Sequence, residues 1–273
     1  MSNIRRGAGE DGSIVERFAD LVGRPAADVP LDEAAALLGA MPRRVCDVAG
    51  ALAALDVLGV RVVRGGGDLD ALRHVLFVED GFDGDRRTYG AVENSFLDAV
   101  LAQRRGLPIT LAVIAIEVGR RAGVPLVGIG MPGHFLVRAA APDGPYVDVF
   151  DGGRLLDRAG CEAVHARVRP GHALPAGGLE PVDAHAVLAR MLMNLTAAGR
   201  RAVDPALGLR VARLRCALPD AGPAEQLALG SALGVAGRFL EAAELFERLA
   251  VGAADPVARE LGARAVALRA RLN

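Results

Sequence analysis

The chain has no tryptophan and few other aromatic residues. Aromatic side chains make up 4% of its 273 residues, although 52% of the residues are hydrophobic. The core must therefore be aliphatic and built mostly from Leu, Val and Ala. A chain of this length can bury a sizeable core, arranged as one large domain or two smaller ones.

The chain also lacks a charge excess and a cysteine framework. Its 32 Lys and Arg residues balance 33 Asp and Glu residues, so the sequence predicts no nucleic-acid or anionic-membrane partner. Cys46, Cys161 and Cys216 are odd in number, far apart and outside any CxxC spacing. They predict reduced thiols in a cytoplasmic protein and argue against a disulfide or zinc framework.

No apolar run is long enough to span a membrane. The longest, residues 109–116, is far shorter than the roughly 20 residues that a spanning helix needs. The N-terminus has no apolar signal-peptide run, and we expect residues 1–11 to be disordered. His134, His172 and His185 lack metal-ligand spacing, so neither a metal nor a cofactor is predicted.

Helical patterns precede a buried central helix. Residues 12–82 show helical periodicity, and Asn94 is a good N-cap for a helix that ends near Arg105. Pro108 then suits a first helical position, and Gly123 marks the end of that next helix. The segment between them is apolar on most faces, which is typical of a helix buried in a core.

Three strand patterns follow, at residues 124–129, 135–139 and 146–150. His134 precedes the second strand and Asp148 lies in the third, and a turn containing Gly144 and Pro145 joins the two strands. A histidine and an aspartate on neighbouring strands of a hairpin are two of the three members of a nucleophilic triad. We therefore predict a His134–Asp148 hydrogen bond.

The C-terminal third is again helical. Its candidate helices cover residues 183–199, 204–217, 223–235, 239–251 and 256–271. Residues 237–249 fit the second helix of a tetratricopeptide-like hairpin. The Gly- and Pro-containing residues 160–182 suggest a linker, so the predicted organisation is a domain at 12–159, a linker at 160–182 and a helical region at 183–273.

Several runs together resemble the SirB-type family. They are Gly81, Phe82, Gly84, Tyr89 and residues 93–101, 105–111, 132–138 and 148–153. Proteins of this family join a transglutaminase-like domain to tetratricopeptide-like helices. The resemblance implies an α+β fold of the papain/transglutaminase type, in which a buried central helix packs on a small antiparallel sheet.

The resemblance also implies where a triad would lie. In that fold the nucleophilic cysteine begins the buried helix, and the histidine and aspartate follow on strands, where His134 and Asp148 stand here. Active relatives typically read Gly-x-Cys, a helix, then Gly-Ile-Pro, and aligning Gly106 and Gly123 with those glycines puts Pro108 at the cysteine position. Proline offers neither a nucleophile nor a backbone N–H.

Two functions are therefore compatible with the sequence. The first is a binding or regulatory protein without the nucleophile, which holds a protein, peptide or small-molecule partner in the former active-site cleft. The second is a hydrolase or acyl- or amide-transfer enzyme in which Asp148 orients His134 as a general base. Thr110 or a substrate group would then be the nucleophile, unless Thr110 only satisfies backbone groups of the first helical turn.

Asn94 and Arg105 are candidate substrate-binding residues of the same cleft. Each also has a purely structural interpretation. Asn94 could serve only as the helix cap, and Arg105 could interact with the dipole at the C-terminus of the helix.

Overall fold

The computed structural model describes residues 3–40, 44, 46–141 and 143–272. The chain divides into two compact units. The central unit is Arg24–Asn194, and the terminal unit combines Met1–Gly23 with Leu195–Asn273.

The described residues are mostly helical. The helices are α1 (Asn3–Val22), α2 (Leu31–Leu37), α3 (Val48–Arg64), α4 (Leu69–Arg73), α5 (Leu97–Gln103), α6 (Pro108–Ala122), α7 (Arg158–Val168), α8 (Ala184–Ala202), α9 (Pro205–Ala217), α10 (Pro223–Val235), α11 (Phe239–Val251) and α12 (Asp255–Arg269). The strands are β1 (Asp83–Gly84), β2 (Arg105–Gly106), β3 (Leu126–Ile129), β4 (Leu136–Ala139), β5 (Tyr146–Asp148), β6 (Arg154–Leu156) and β7 (Pro181–Val182). A π-helical turn, His74–Glu79, continues α4.

The centre of the central unit is α6. Nearly all its side chains are buried, and it contacts α2, α3 and α5 as well as β3 and β4. Pro108 occupies the first turn, and Gly123 ends the helix in the left-handed conformation at φ 75°. The all-round apolar pattern predicted such a buried helix, and this prediction is confirmed.

A five-stranded antiparallel sheet packs beside α6, with strand order β6-β5-β4-β3-β7. Val137 lies opposite Val147, and Arg138 lies opposite Tyr146. This register brings the end of β5, with Asp148, next to the start of β4, two residues after His134.

The prediction of a linker at residues 160–182 is wrong, because this segment is part of the central unit. Most of α7 lies within it, and Cys161 and Val164 are buried in the core beneath the sheet. Strand β7 pairs with β3, where Val182 lies opposite Gly128. The glycines and prolines that suggested a linker form turns between two packed elements.

The helix predicted from residue 95 to about residue 105 is shorter. It begins at Leu97 with Phe96 as its N-cap, so Asn94 is not the cap. It ends at Gln103 because Arg104 adopts the left-handed conformation at φ 59°. Arg105 therefore lies in β2, which pairs with β1 in parallel, and not at a helix C-terminus.

A buried ion cluster joins α2 to α6. Asp32 and Glu117 are almost fully buried, and the guanidinium groups of Arg120 and Arg121 contact both carboxylates. Burial, together with the charge of Asp32, raises the pKa of Glu117. Burial alone would also raise the pKa of Asp32, but the hydrogen bonds from Arg121 and Glu33 N and the charges of both arginines outweigh it and lower that pKa.

We expect Glu117→Gln to gain stability relative to the wild type as the pH rises. The folded wild type keeps the Glu117 proton to a higher pH than the unfolded chain, so its stability falls as the pH rises above the ordinary value of 4.5. Glutamine does not titrate. Urea unfolding of both proteins between pH 4 and 8 measures the difference; a difference that does not change with pH would contradict this expectation.

The terminal unit consists of helices that pack in succession. Helix α1 packs on α9, and each helix from α9 to α12 packs on the next. Gly230 in α10 leaves room for the Phe246 ring of α11, because a Cβ atom at Gly230 would lie 2.5 Å from that ring. Two small clusters of Leu, Ala and Phe side chains form the core.

The N-terminal boundary differs from the prediction. Residues 3–11, expected to be disordered, lie in α1, and residues 12–22 belong to the terminal unit and not to the transglutaminase-like domain. Met1 and Ser2 lie outside the described residues. The unit boundary near the C-terminal region falls at Leu195, within α8, and not at residue 183.

Among the described residues, no helix has both the length and the apolar character needed to cross a membrane.

Candidate functional site

A cleft of about 460 Å³ opens where the N-terminus of α6 meets the β4–β5 hairpin. Pro108, His134 and Asp148 all line it. The structure therefore brings together the two predicted triad residues and Pro108, which the family resemblance aligns with the nucleophile position.

His134 and Asp148 form a buried pair. The distance from His134 Nε2 to Asp148 Oδ1 is 2.8 Å, and the two residues are 6% and 1% exposed. Phe150 N donates to the same carboxylate oxygen at 3.1 Å. Because a carboxylate only accepts hydrogen bonds, Nε2 is the donor in this pair, and in the neutral form of the ring Nδ1 can accept a hydrogen bond.

A tight turn positions His134. His134 N donates to Met131 O at 3.0 Å across the turn of residues 131–134. Gly133 has φ 81°, and the Pro-Gly pair at the two central positions is typical of a type II turn. The side chains of Val168 and Arg169, at the end of α7, pack close to Gly133. The C-terminal end of α7 therefore forms one wall of the cleft.

The turn after β5 positions Asp148. Gly153 N donates to Asp148 O at 3.0 Å, and Arg73 Nε donates to Gly153 O at 2.8 Å. Gly153 has φ 73°, and the Phe77 ring of the π-helical turn packs directly against it. Contacts from α4 and the π-helical turn thus hold the residues that follow Asp148.

Thr110 is separate from this pair. Its side chain is fully buried, its Oγ1 donates to Asn94 O at 2.9 Å, and it does not line the cleft. This bond ties the first turn of α6 to the segment before α5. The geometry therefore does not support Thr110 as the nucleophile. It supports the structural interpretation, in which Thr110 satisfies a backbone group.

Asn94 and Arg105 also lie outside the cleft lining. The Asn94 amide donates to Asp85 Oδ2 and Thr88 O, and its Oδ1 accepts from Gln103. Arg105 Nη1 donates to the carbonyl oxygens of Gly81 and Arg104. Both residues hold the loops around the cleft in place and are not positioned to touch a ligand in it.

The cleft lining also includes residues that the sequence did not identify as site residues, among them Arg86, Tyr89, Phe150 and Arg167. The Phe150 ring is edge-to-face with the His134 ring at 5.9 Å and with the Tyr89 ring at 5.8 Å. Tyr89 and Phe150 belong to the runs that resemble the family, so the resemblance could have indicated them as site residues. Arg167 lies in the segment predicted to be a linker, and no sequence pattern indicated it as a site residue.

None of the three cysteines lines the cleft. Burial raises the pKa of Cys46 and of Cys161 to about 11 and also raises the pKa of Cys216. At neutral pH these thiols are protonated and weakly nucleophilic. Among the residues that the structure describes, no group of three or more His, Cys, Asp or Glu side chains could hold a metal ion.

The fold and the cleft define a protein of the papain/transglutaminase type. The model of the family described as "Transglutaminase-like superfamily" matches residues 47–193, more than half of the chain. The chain therefore belongs to the transglutaminase-like superfamily, and the predicted α+β core is confirmed.

The similar proteins include bacterial and mammalian relatives. A UPF0162 protein of Xylella fastidiosa (strain 9a5c) is 44% identical over 133 residues, which cover 46% of each chain. A UPF0162 protein of Vibrio cholerae is 30% identical over 149 residues, 52% of this chain and 53% of that protein. F-box only protein 21 of Homo sapiens is 32% identical over 142 residues, 49% of this chain and 22% of that protein. The chain thus spans about half the length of the UPF0162 relatives that it matches.

Proposed function

We propose that this chain is a SirB-type member of the superfamily that has lost its nucleophilic cysteine and acts as a binding or regulatory protein. The observation that carries the proposal is the position of Pro108. It begins the buried helix and lines the same cleft as His134 and Asp148. A cleft with an ordered His–Asp pair and no nucleophile can still bind the ligand that an active relative would transform.

A second candidate function is general-base catalysis without a covalent intermediate. Asp148 engages Nε2 of His134, and Nδ1 has no hydrogen bond to any described residue. A bound water molecule or a substrate hydroxyl or amine could give its proton to Nδ1. The products would be those of an amide or ester hydrolase or of an acyltransferase.

An activity assay separates the two functions. Peptide amides and esters are incubated with the wild type and with His134→Ala, and the products are followed by mass spectrometry. The binding function predicts no turnover above the uncatalysed rate in either protein. Turnover by the wild type that disappears in His134→Ala would overturn it in favour of the enzyme.

Restoring the thiol tests the role of position 108. We expect Pro108→Cys to introduce a thiol that iodoacetamide alkylates at pH 7 at least about tenfold faster than the native cysteines, because a helix N-terminus and a nearby histidine lower a thiol pKa. The rate should fall in Pro108→Cys/His134→Ala. Peptide mapping by mass spectrometry gives the rate at each site.

Thr110→Cys is the matched control for this test. It places a thiol on the same helix, but in a fully buried position that does not line the cleft. Its alkylation should be as slow as that of the native thiols. If the rate in Pro108→Cys were independent of His134, position 108 would not be the position of the lost nucleophile.

We further propose that the terminal unit is a tetratricopeptide-like surface for a protein partner in the cytoplasm. The successive packing of α9 to α12 and the Gly230–Phe246 contact between paired helices support the repeat. The three free cysteines support a reducing compartment. Redox-sensitive labelling of the thiols in cells would test the compartment.

A further inference from the structure

The cleft contains one cation without a counter-charge. Arg167 lies in the last turn of α7, is exposed and lines the cleft. Its guanidinium group makes no ion pair, hydrogen bond or ring contact with any described residue. Five N–H donors in a planar fork therefore face solvent at the edge of the site.

The second arginine of the cleft is different, because both of its terminal nitrogens, Nη1 and Nη2, already donate hydrogen bonds. Arg86 Nη2 donates to Phe150 O at 2.8 Å and to Asp151 Oδ1 at 2.9 Å, and Nη1 donates to Asp83 Oδ2 at 3.0 Å. Its guanidinium also stacks over the Phe150 ring, 4.9 Å from the centroid. Arg86 fixes the cleft wall, which leaves Arg167 as the lining arginine able to take an anion.

The remaining lining suits an apolar ligand body with one polar donor. Pro108, Tyr89, Phe150 and Val168 provide apolar and aromatic surface. His134 Nδ1 can accept a hydrogen bond from a ligand N–H group, since Asp148 occupies Nε2. A volume of about 460 Å³ is within the range of sites for small ligands and can hold a short peptide segment.

We infer that the cleft binds a peptide carboxylate, which Arg167 holds while His134 Nδ1 accepts a hydrogen bond from a ligand N–H group. This inference rests on the proposed binding function. A carboxylate matches the planar guanidinium in a bidentate pair and carries a single negative charge. A phosphate dianion would add a second negative charge close to Asp148 and Asp151, with no further free cation in the lining to balance it.

The test compares three peptides on the full chain. The first is acetyl-Ala-Ala-Phe with a free carboxylate, the second is its C-terminal amide, and the third is acetyl-Ala-Asp-Phe amide. Calorimetry gives each Kd, and the imidazole nitrogen shifts of 15N-labelled His134 report whether the peptide occupies the cleft. We expect the free carboxylate to bind about tenfold more tightly than the amide, as one charge-assisted hydrogen-bonded contact provides.

Arg167→Gln should abolish that preference. Arg158→Gln is the matched control, because Arg158 is an exposed arginine at the other end of α7 and does not line the cleft. The preference should persist in this control. If the third peptide binds more tightly than the second, and only when Arg167 is present, the carboxylate site also accepts an acidic side chain, which supports the inference.

Any of three results would overturn the inference. They are equal binding of the carboxylate and the amide peptides, a preference for the carboxylate that survives Arg167→Gln, and the absence of peptide binding. Mass spectrometry of the same samples separates this failure from that of the proposed function. Cleaved peptide would overturn the binding function, while the carboxylate preference could still be measured as a ratio of KM values. Intact peptide with no preference would overturn only the carboxylate site.

Discussion

Replacing Arg121 with alanine is expected to lower the free energy of unfolding by about 3 to 5 kcal/mol, because it leaves buried carboxylates with too little positive charge. Arg121 Nη2 donates to Asp32 Oδ2 at 2.6 Å and Nη1 donates to Glu117 Oε2 at 2.8 Å. Among the described residues, only Arg120 would remain to pair with both carboxylates, and its side chain is 60% exposed. Urea unfolding at pH 7 measures the loss as a shift in midpoint at an unchanged slope.

The matched control is Asp56→Ala. Arg121 Nε also donates to Asp56, but the Asp56 side chain is 67% exposed, so losing this pair should cost no more than about 1 kcal/mol. Arg121→Ala/Glu117→Gln should recover part of the stability, because one uncompensated buried charge is removed. Equal, small losses of unfolding free energy in Arg121→Ala and Asp56→Ala would show that the burial of Asp32 and Glu117 does not increase the cost of removing Arg121.

Gly153→Ala is expected to lower the free energy of unfolding by about 2 to 5 kcal/mol, which is the sum of the cost of a non-glycine residue in the left-handed conformation and the cost of overpacking. Gly153 has φ 73°, and a Cβ atom there would lie 2.0 Å from Phe77 Cδ2. Either Phe77 or the turn after Asp148 must move. We therefore also expect weaker order of the His134–Asp148 pair, visible in the imidazole nitrogen shifts of His134.

Gly152→Ala separates the cost of the left-handed backbone from the cost of overpacking. Gly152 has φ 59° but no atom within 4 Å of an added Cβ, so only the backbone cost of about 1 to 2 kcal/mol applies. In a double-mutant cycle, Phe77→Ala should make Gly153→Ala less costly. Equal losses for the two glycine variants, with no coupling to Phe77, would contradict a role for the π-helical turn in holding this segment.

Local sequence patterns predicted the core of the site. The all-round apolar pattern between Pro108 and Gly123 indicated a buried helix, and two alternating segments indicated the hairpin that brings His134 and Asp148 together. These inferences depend on helix periodicity, on capping and on short-range strand pairing. Each of these is encoded within a few neighbouring residues.

The elements that the sequence did not predict depend on distant contacts. Arg104 ends α5 in a left-handed conformation, which no local pattern requires, and β2 then pairs with β1 about 20 residues earlier. Arg167 lines the cleft because α7 packs at Gly133, although the surrounding glycines and prolines suggested a linker. The placement of Thr110 away from the cleft follows from its hydrogen bond to Asn94 O.

By itself, the sequence determined that this chain has an α+β core with a buried helix, a His–Asp hairpin pair and a proline at the start of that helix. Only the tertiary structure decided which side chains surround the pair. It excluded Thr110, Asn94 and Arg105 from the cleft lining and placed Arg167 there with no partner among the described residues. The physical reason is that a segment's own periodicity fixes its burial and its shape, whereas the residues that share a cleft depend on how segments distant in sequence pack together.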